Sequence, residues 1–137
     1  MNITVALNRL EKKGYKNTRK RERMLKIFIK ENRYLSAKGI FKLIVEDYPY
    51  LSVDTIYRNI KIFEELDIIE STELSGEKHY RFKCSSDHHH HIICTDCGAV
   101  EKIEMCPMDA ITDTPEGFTI THHKFEIYGY CDECRSL

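Results

Sequence analysis

Long apolar runs are absent from this 137-residue chain. No segment approaches the ~18–20 consecutive apolar residues of a transmembrane helix, and the N-terminus carries no apolar signal-peptide region. The expectation is a soluble, cytosolic protein that does not partner a membrane. Linker chemistry is missing too. No stretch rich in Pro, Gly or Ser divides the chain, and there is no internal repeat and no low-complexity segment beyond one histidine run. Base is scarce in the second half, where residues 85–137 carry 3 Lys+Arg against 10 Asp+Glu. Acid is scarce near the start, where residues 9–26 hold nine basic and two acidic residues. No H-E-x-x-H pattern occurs. An open, water-activating zinc site is therefore not expected, nor is an enzyme with a small-molecule substrate.

What is present divides the chain in two. Residues 1–84 carry 18 Lys+Arg and 12 Asp+Glu, and the remainder is acidic and rich in His and Cys. A basic half joined to an acidic, metal-ligand-rich half suggests two jobs, with polyanion binding in the first. The length suits two small domains, with a boundary near 83–87: 1–84 and 85–137.

The first 66 residues read as helices. Val5, Leu7 and Leu10 recur at helical spacing, and Gly14 suits a stop. Thr18 can cap a second helix bearing Met24, Leu25, Ile27, Phe28 and Ile29. Ser36 can cap a third, with Ile40, Phe41 and Ile44 inward and Pro49 ending it. Ser52 can cap a fourth, "SVDTIYRNIKIFEEL". On that helix Val53, Ile56, Ile60 and Phe63 share one face, while Asp54, Thr55 and Arg58 point away and Tyr57 sits on the flank. Hydroxyl, aromatic and guanidinium groups near its N-terminal half are what a recognition helix offers to a major groove, where Arg bonds guanine bidentately. Two short extended stretches, about 68–73 and 79–83, flank a Ser-Gly turn in "ELSGEK". Helices followed by a hairpin outline a winged helix-turn-helix, the first part of an α+β protein.

Six cysteines stand at 84, 94, 97, 106, 131 and 134. Four of them form "CTDC" and "CDEC", with 33 residues between the pairs. Cys94, Cys97, Cys131 and Cys134 can close a tetrahedron around a structural Zn²⁺. Between them lie strand-like "AVEKIEM", a short helix opened by Pro107 and a strand at 117–130, which together make a small α/β unit. "HHHHIIC" reads as the start of another strand. Alternation then points His89 and His91 to one face and His88 and His90 to the other, so two sites are expected rather than one. Completing ligands are sought among His123, Asp109, Cys84 and Glu70. His122 reads as a surface residue and Cys106 as structural. A thiolate among imidazoles suits Zn²⁺ better than Mn²⁺ or Fe²⁺.

The stretches "GYKNTRKRERML", "LSAKGIFKLI", "DTIYRNIKIFEELDII", "HHHHIICTDCG" and "HHKFEIYGYCDEC" resemble the ferric uptake regulator (Fur) family across nearly the whole chain. The resemblance implies a homodimeric, metal-responsive repressor with an N-terminal winged helix and a C-terminal dimerisation domain. Within the family the chain looks most like the zinc-responsive branch (Zur) of Gram-positive bacteria. That branch places a cysteine at Cys84 and a carboxylate at Glu70, while the iron and peroxide branches usually place histidine at Tyr34. Carried over by position, Glu70, Cys84, His89 and His91 match a regulatory hinge site. His88, His90, Asp109 and His123 match a third site in the dimerisation domain. Tyr57 and Arg58 match base-contacting positions, Lys16 a minor-groove contact and Arg21 a backbone contact; exposed Thr55 joins them. The implied partner is a double-stranded operator with inverted-repeat symmetry, and the resemblance to this branch implies zinc-uptake genes as its targets.

Overall fold

The computed structural model describes residues 2–83, 88–111 and 114–135, with only the backbone described at Asp109. The chain divides into two compact units, Met1–Ser86 and Asp87–Leu137. No helix among the described residues is long and apolar enough to cross a membrane.

The first unit holds four helices: α1 (Ile3–Lys12), α2 (Arg19–Glu31), α3 (Ala37–Ile44) and α4 (Val53–Glu65). Each starts at a side-chain oxygen that accepts an otherwise orphaned backbone N–H. Asn2 caps Val5, Thr18 caps Arg21, Ser36 caps Gly39 and Ser52 caps Thr55. Their inward faces bury Leu10, Met24, Leu25, Phe28, Ile40, Ile44, Ile56, Ile60 and Phe63 in one core. Val53, the first residue of α4, departs from expectation: it is 49% exposed. Asn59 takes a buried place on the same helix instead.

Strand β2 (Ile69–Leu74) turns back into β3 (Glu77–Phe82), and the two pair antiparallel with Leu74 opposite Glu77. The two-residue turn has Ser75 at φ 53 and Gly76 at φ 78, the doubly left-handed backbone that a tight hairpin needs. A third strand, β1 (Leu35–Ser36), adds to β3, so the wing is a three-stranded sheet in the order β1-β3-β2.

The second unit is a mixed sheet in the order β5-β4-β6. Central β4 (His90–Cys94) pairs antiparallel with β5 (Val100–Ile103) and parallel with β6 (Glu126–Gly129). A 3-10 turn, Pro107–Ala110, lies between β5 and β6. The expected strand at 117–130 is shorter than its alternation suggested: only the four residues of β6 join the ladder, and the chain before them is irregular. Among the described residues of this unit the buried apolar side chains are Ile93 and Cys94. So small a core holds a domain this size only with help from metal or a partner surface.

Candidate metal centres and nucleic-acid interface

Among the described residues of the second unit, two clusters of metal-ligating side chains form, each with its donor atoms within 4.8 Å of one another. The first is Cys94, Cys97, Cys131 and Cys134. Cys94 ends β4, and Cys97 follows through a turn closed by the Gly98 N–H bonding the Cys94 carbonyl at 3.0 Å. Gly98 has φ 81, which lets the chain fold tightly over the pair. The parallel register sets Cys94 opposite Gly129, and this brings the second pair alongside. The Cys97 and Cys131 sulfurs lie 3.7 Å apart. A tetrahedron with metal–sulfur bonds of about 2.3 Å has edges of about 3.8 Å, so the spacing fits zinc. Burial opposes ionisation of Cys94, but backbone N–H groups of Cys97, Cys131 and Asp96 outweigh it and bring the thiol down to about 6. Burial pushes Cys97 up, and contact with the Cys131 and Asp96 side chains raises Cys134. One thiolate is thus favoured, and a bound dication would release the remaining protons.

The second cluster is His88, His90, Cys106 and His123. The Cys106 sulfur lies 3.2 Å from His88 Nε2, 3.4 Å from His90 Nε2 and 3.4 Å from His123 Nε2. His90 and His123 Nε2 are 3.3 Å apart. Burial, then the neighbouring His88 and His123, lower His90 below the ordinary imidazole value and favour its neutral form. Its ring packs edge-on against Phe125 with centroids 5.5 Å apart. Cys106 was expected to be structural, without partners; the structure sets it among three of the four residues assigned to the third site. At Asp109, the fourth, the side chain lies outside the described residues.

His89 and His91 share the other face, with ring centroids 4.8 Å apart. Nδ1 of His89 is buried and has no hydrogen-bond partner among the described residues, an arrangement that suits a ligand atom. Cys84 lies outside the described residues. Glu70, on β2, pairs with Arg81 at 3.3 Å inside the first unit, and the Arg81 guanidinium stands 5.9 Å over the ring of buried Tyr34. His122 is exposed, as expected.

On the first unit, Tyr57 and Arg58 are exposed on α4, and Thr55 is half-buried with its hydroxyl 2.9 Å from Ser52. Lys16 is exposed on the loop before α2. Arg21 is more occupied than a backbone contact alone requires: it donates to Asn59 Oδ1 at 2.9 Å and to the Lys16 carbonyl at 2.7 Å. Arg21, Thr55 and Asn59, with Arg19 and Lys20, line a groove between the α2 N-terminus and α4. Two helix N-termini and a basic rim form an anion-attracting surface. Asn59 was missed, although a polar residue one position before Ile60 on the apolar face was the available signal.

Residues 12–128 match the model of the Ferric uptake regulator family. The chain is 47% identical over 135 residues to the Ferric uptake regulation protein of Staphylococcus epidermidis (strain ATCC 12228 / FDA PCI 1200), covering 98% of this chain and 97% of that one. In structure it is similar to the Helicobacter pylori ferric uptake regulator Fur, with a TM-score of 0.75 at 22% identity over 98% of this chain and 95% of the other. It is also similar to a zinc uptake regulator complexed with zinc and DNA, with a TM-score of 0.71 at 22% identity over 98% and 93%. The chain therefore belongs to the ferric uptake regulator family, whose members are dimeric, metal-responsive, DNA-binding transcription regulators.

Proposed function

We propose that this regulator is a zinc-responsive repressor, homodimeric and cytoplasmic, acting at an inverted-repeat operator of zinc-uptake genes. The observation that carries the reading is the donor chemistry. Sulfur stands with imidazole or with other sulfur in both clusters of the second unit, and such soft sets favour Zn²⁺ over Fe²⁺ or Mn²⁺. Cys94, Cys97, Cys131 and Cys134 would hold a permanent zinc. Glu70, Cys84, His89 and His91 would hold the signalling zinc, and His88, His90 and His123 belong to a third site for which Asp109 is the expected fourth ligand.

Zinc, when bound, supplies a tie among donors that no single covalent segment provides. Glu70 comes from the first unit and His89 and His91 from the second. One set of donors satisfies one ion only in a restricted arrangement of the units, so occupancy favours that arrangement by differential affinity. Tyr57 and Arg58 then read bases with Thr55 beside them, Lys16 enters the minor groove and Arg21 meets the backbone. The exposed Ile92, Ile127, Tyr128 and Tyr130 of the second unit are the apolar surface for the partner subunit. Two copies present two α4 helices to two half-sites.

A second reading, iron as the signal, is favoured by the name of the Staphylococcus epidermidis relative. A gel-shift titration separates them. Protein retaining its structural zinc is titrated with Zn²⁺, Fe²⁺ and Mn²⁺ at buffered free concentrations, beside Cys84→Ser. Zinc is expected to activate operator binding in the parent protein and not in Cys84→Ser. Activation by Fe²⁺ alone would install the iron reading.

A further inference from the structure

We propose that Cys106 is the fourth ligand of the metal site formed by His88, His90 and His123, which makes it a three-imidazole, one-thiolate zinc site. The inference deepens the metal-responsive reading and rests on it only for the statement that the second unit binds metal.

Four of the six donor–donor edges lie near those of a coordination shell. With bonds of about 2.0–2.1 Å to nitrogen and about 2.3 Å to sulfur, a tetrahedral zinc sets nitrogen–nitrogen edges of about 3.3–3.4 Å and nitrogen–sulfur edges of about 3.5–3.6 Å. The His90–His123 edge is 3.3 Å, and the three edges to Cys106 are 3.2, 3.4 and 3.4 Å. Hydrogen bonding alone satisfies this cluster poorly. A thiol carries one proton, and a neutral imidazole carries one on either nitrogen. Four donor atoms that each carry a lone pair repel at these separations unless protons or a cation lie between them.

Cys106 has no competing local task. It is the residue before the 3-10 turn, with extended backbone (φ −120, ψ 121), and its side chain makes no cap hydrogen bond. Pro107 at the start of the turn holds the direction in which the chain leaves. His88 and His90 come from one face of the strand region, while His123 comes from the segment before β6. Three separate stretches of chain thus converge on one point, so the site also ties the small unit together.

Thiolate in place of carboxylate alters the selectivity. Both carry one negative charge, but sulfur is soft and discriminates against Mn²⁺ and Fe²⁺ in favour of Zn²⁺ or its spectroscopic substitute Co²⁺.

The test uses full-length protein retaining its structural zinc, titrated with Co²⁺ and read by absorption. Cys84→Ser removes the other thiolate. In that background, a sulfur-to-cobalt charge-transfer band in the near ultraviolet is expected, with the visible bands of tetrahedral Co²⁺. It should survive Asp109→Asn and vanish in Cys84→Ser/Cys106→Ser. Cys106→Asp, in the same background, should keep visible Co²⁺ bands without the charge-transfer band. Zinc affinity should fall more for Cys106→Ser than the roughly 10–100-fold cost of losing an outer-shell partner. Circular dichroism and one retained zinc per chain verify folding of each variant. A charge-transfer band that persists without Cys106, or is absent from Cys84→Ser itself, overturns the assignment; so does its loss in Asp109→Asn. Operator binding is not part of this readout, so failure of the zinc-repressor reading leaves the result interpretable.

Discussion

Arg21 donates from its Nε to the Oδ1 of Asn59 across 2.9 Å. Asn59 donates in turn to the Thr55 carbonyl at 3.1 Å, and Arg21 reaches the Lys16 carbonyl at 2.7 Å. The loop bearing Lys16 and the helix bearing Tyr57 and Arg58 are therefore set against each other by one guanidinium. Arg21→Met keeps much of the side-chain bulk but leaves buried Asn59 without its donor. It is expected to cost about 1–3 kcal/mol in urea unfolding of the metal-loaded protein. A stability equal to the parent's would show that the bond is replaced by solvent.

Lys16 and Arg58 should fail differently. Lys16→Ala is expected to weaken operator and random DNA alike and to flatten the salt dependence by about one phosphate's share, ~0.9 in log–log slope. Arg58→Ala should narrow the preference for operator over random DNA by about 1–3 kcal/mol. Fluorescence anisotropy at several salt concentrations reads both. Equal loss on both DNAs for Arg58→Ala would make it a backbone contact.

Cys97→Ser opens the four-sulfur cluster. Structural zinc typically supplies about 10–16 kcal/mol of binding free energy that is also folding free energy. With Ile93 and Cys94 as the buried apolar side chains described in that unit, little else replaces it. The variant is expected to lose bound zinc and elute as a monomer or aggregate on size-exclusion chromatography. A zinc-free dimer would assign the fold's stability elsewhere.

The proposed hinge site would make a second call on the Glu70 carboxylate, which Arg81, whose side chain is 9% exposed, already holds at 3.3 Å. Glu70→Gln retains an acceptor for Arg81 but weakens a metal ligand. It should keep the parent's melting temperature and need more zinc for operator binding. Glu70→Ala should lose both, with about 1–3 kcal/mol of stability going with the buried guanidinium's lost partner. A Gln variant with an unchanged zinc response would remove Glu70 from the sensor.

Much of the first unit was legible because its signals are local. Thr18, Ser36 and Ser52 each sit where a short polar side chain precedes an apolar periodic run, and each caps its helix. Ser75-Gly76 announced the wing turn for the same reason. The clusters of donor side chains were legible in proportion to spacing. Two C-x-x-C pairs advertise one site, and alternation pairs His88 with His90 and His89 with His91. Cys106 has no such signature. Its neighbours are 16–18 residues away in sequence, and it reaches them through the fold of β5 and the 3-10 turn. His123 kept its inward direction although the residues around it are not a strand, because side-chain alternation survives in extended chain that lacks ladder bonds.

The four consecutive histidines have one more consequence. A one-residue slip of β4 would bring His89 and His91 to the face now held by His88 and His90, and imidazole would still meet Cys106. The run is thus blind to its own register. What breaks the degeneracy lies just beyond it, where Ile93 is fully buried opposite Val100 and Cys94 stands opposite Gly129. A slip would turn Ile93 to solvent and withdraw Cys94 from its three partners. The apolar anchor and the sulfur cluster therefore act as the alignment key for the histidines, and which imidazoles face Cys106 is decided by residues that are not histidine.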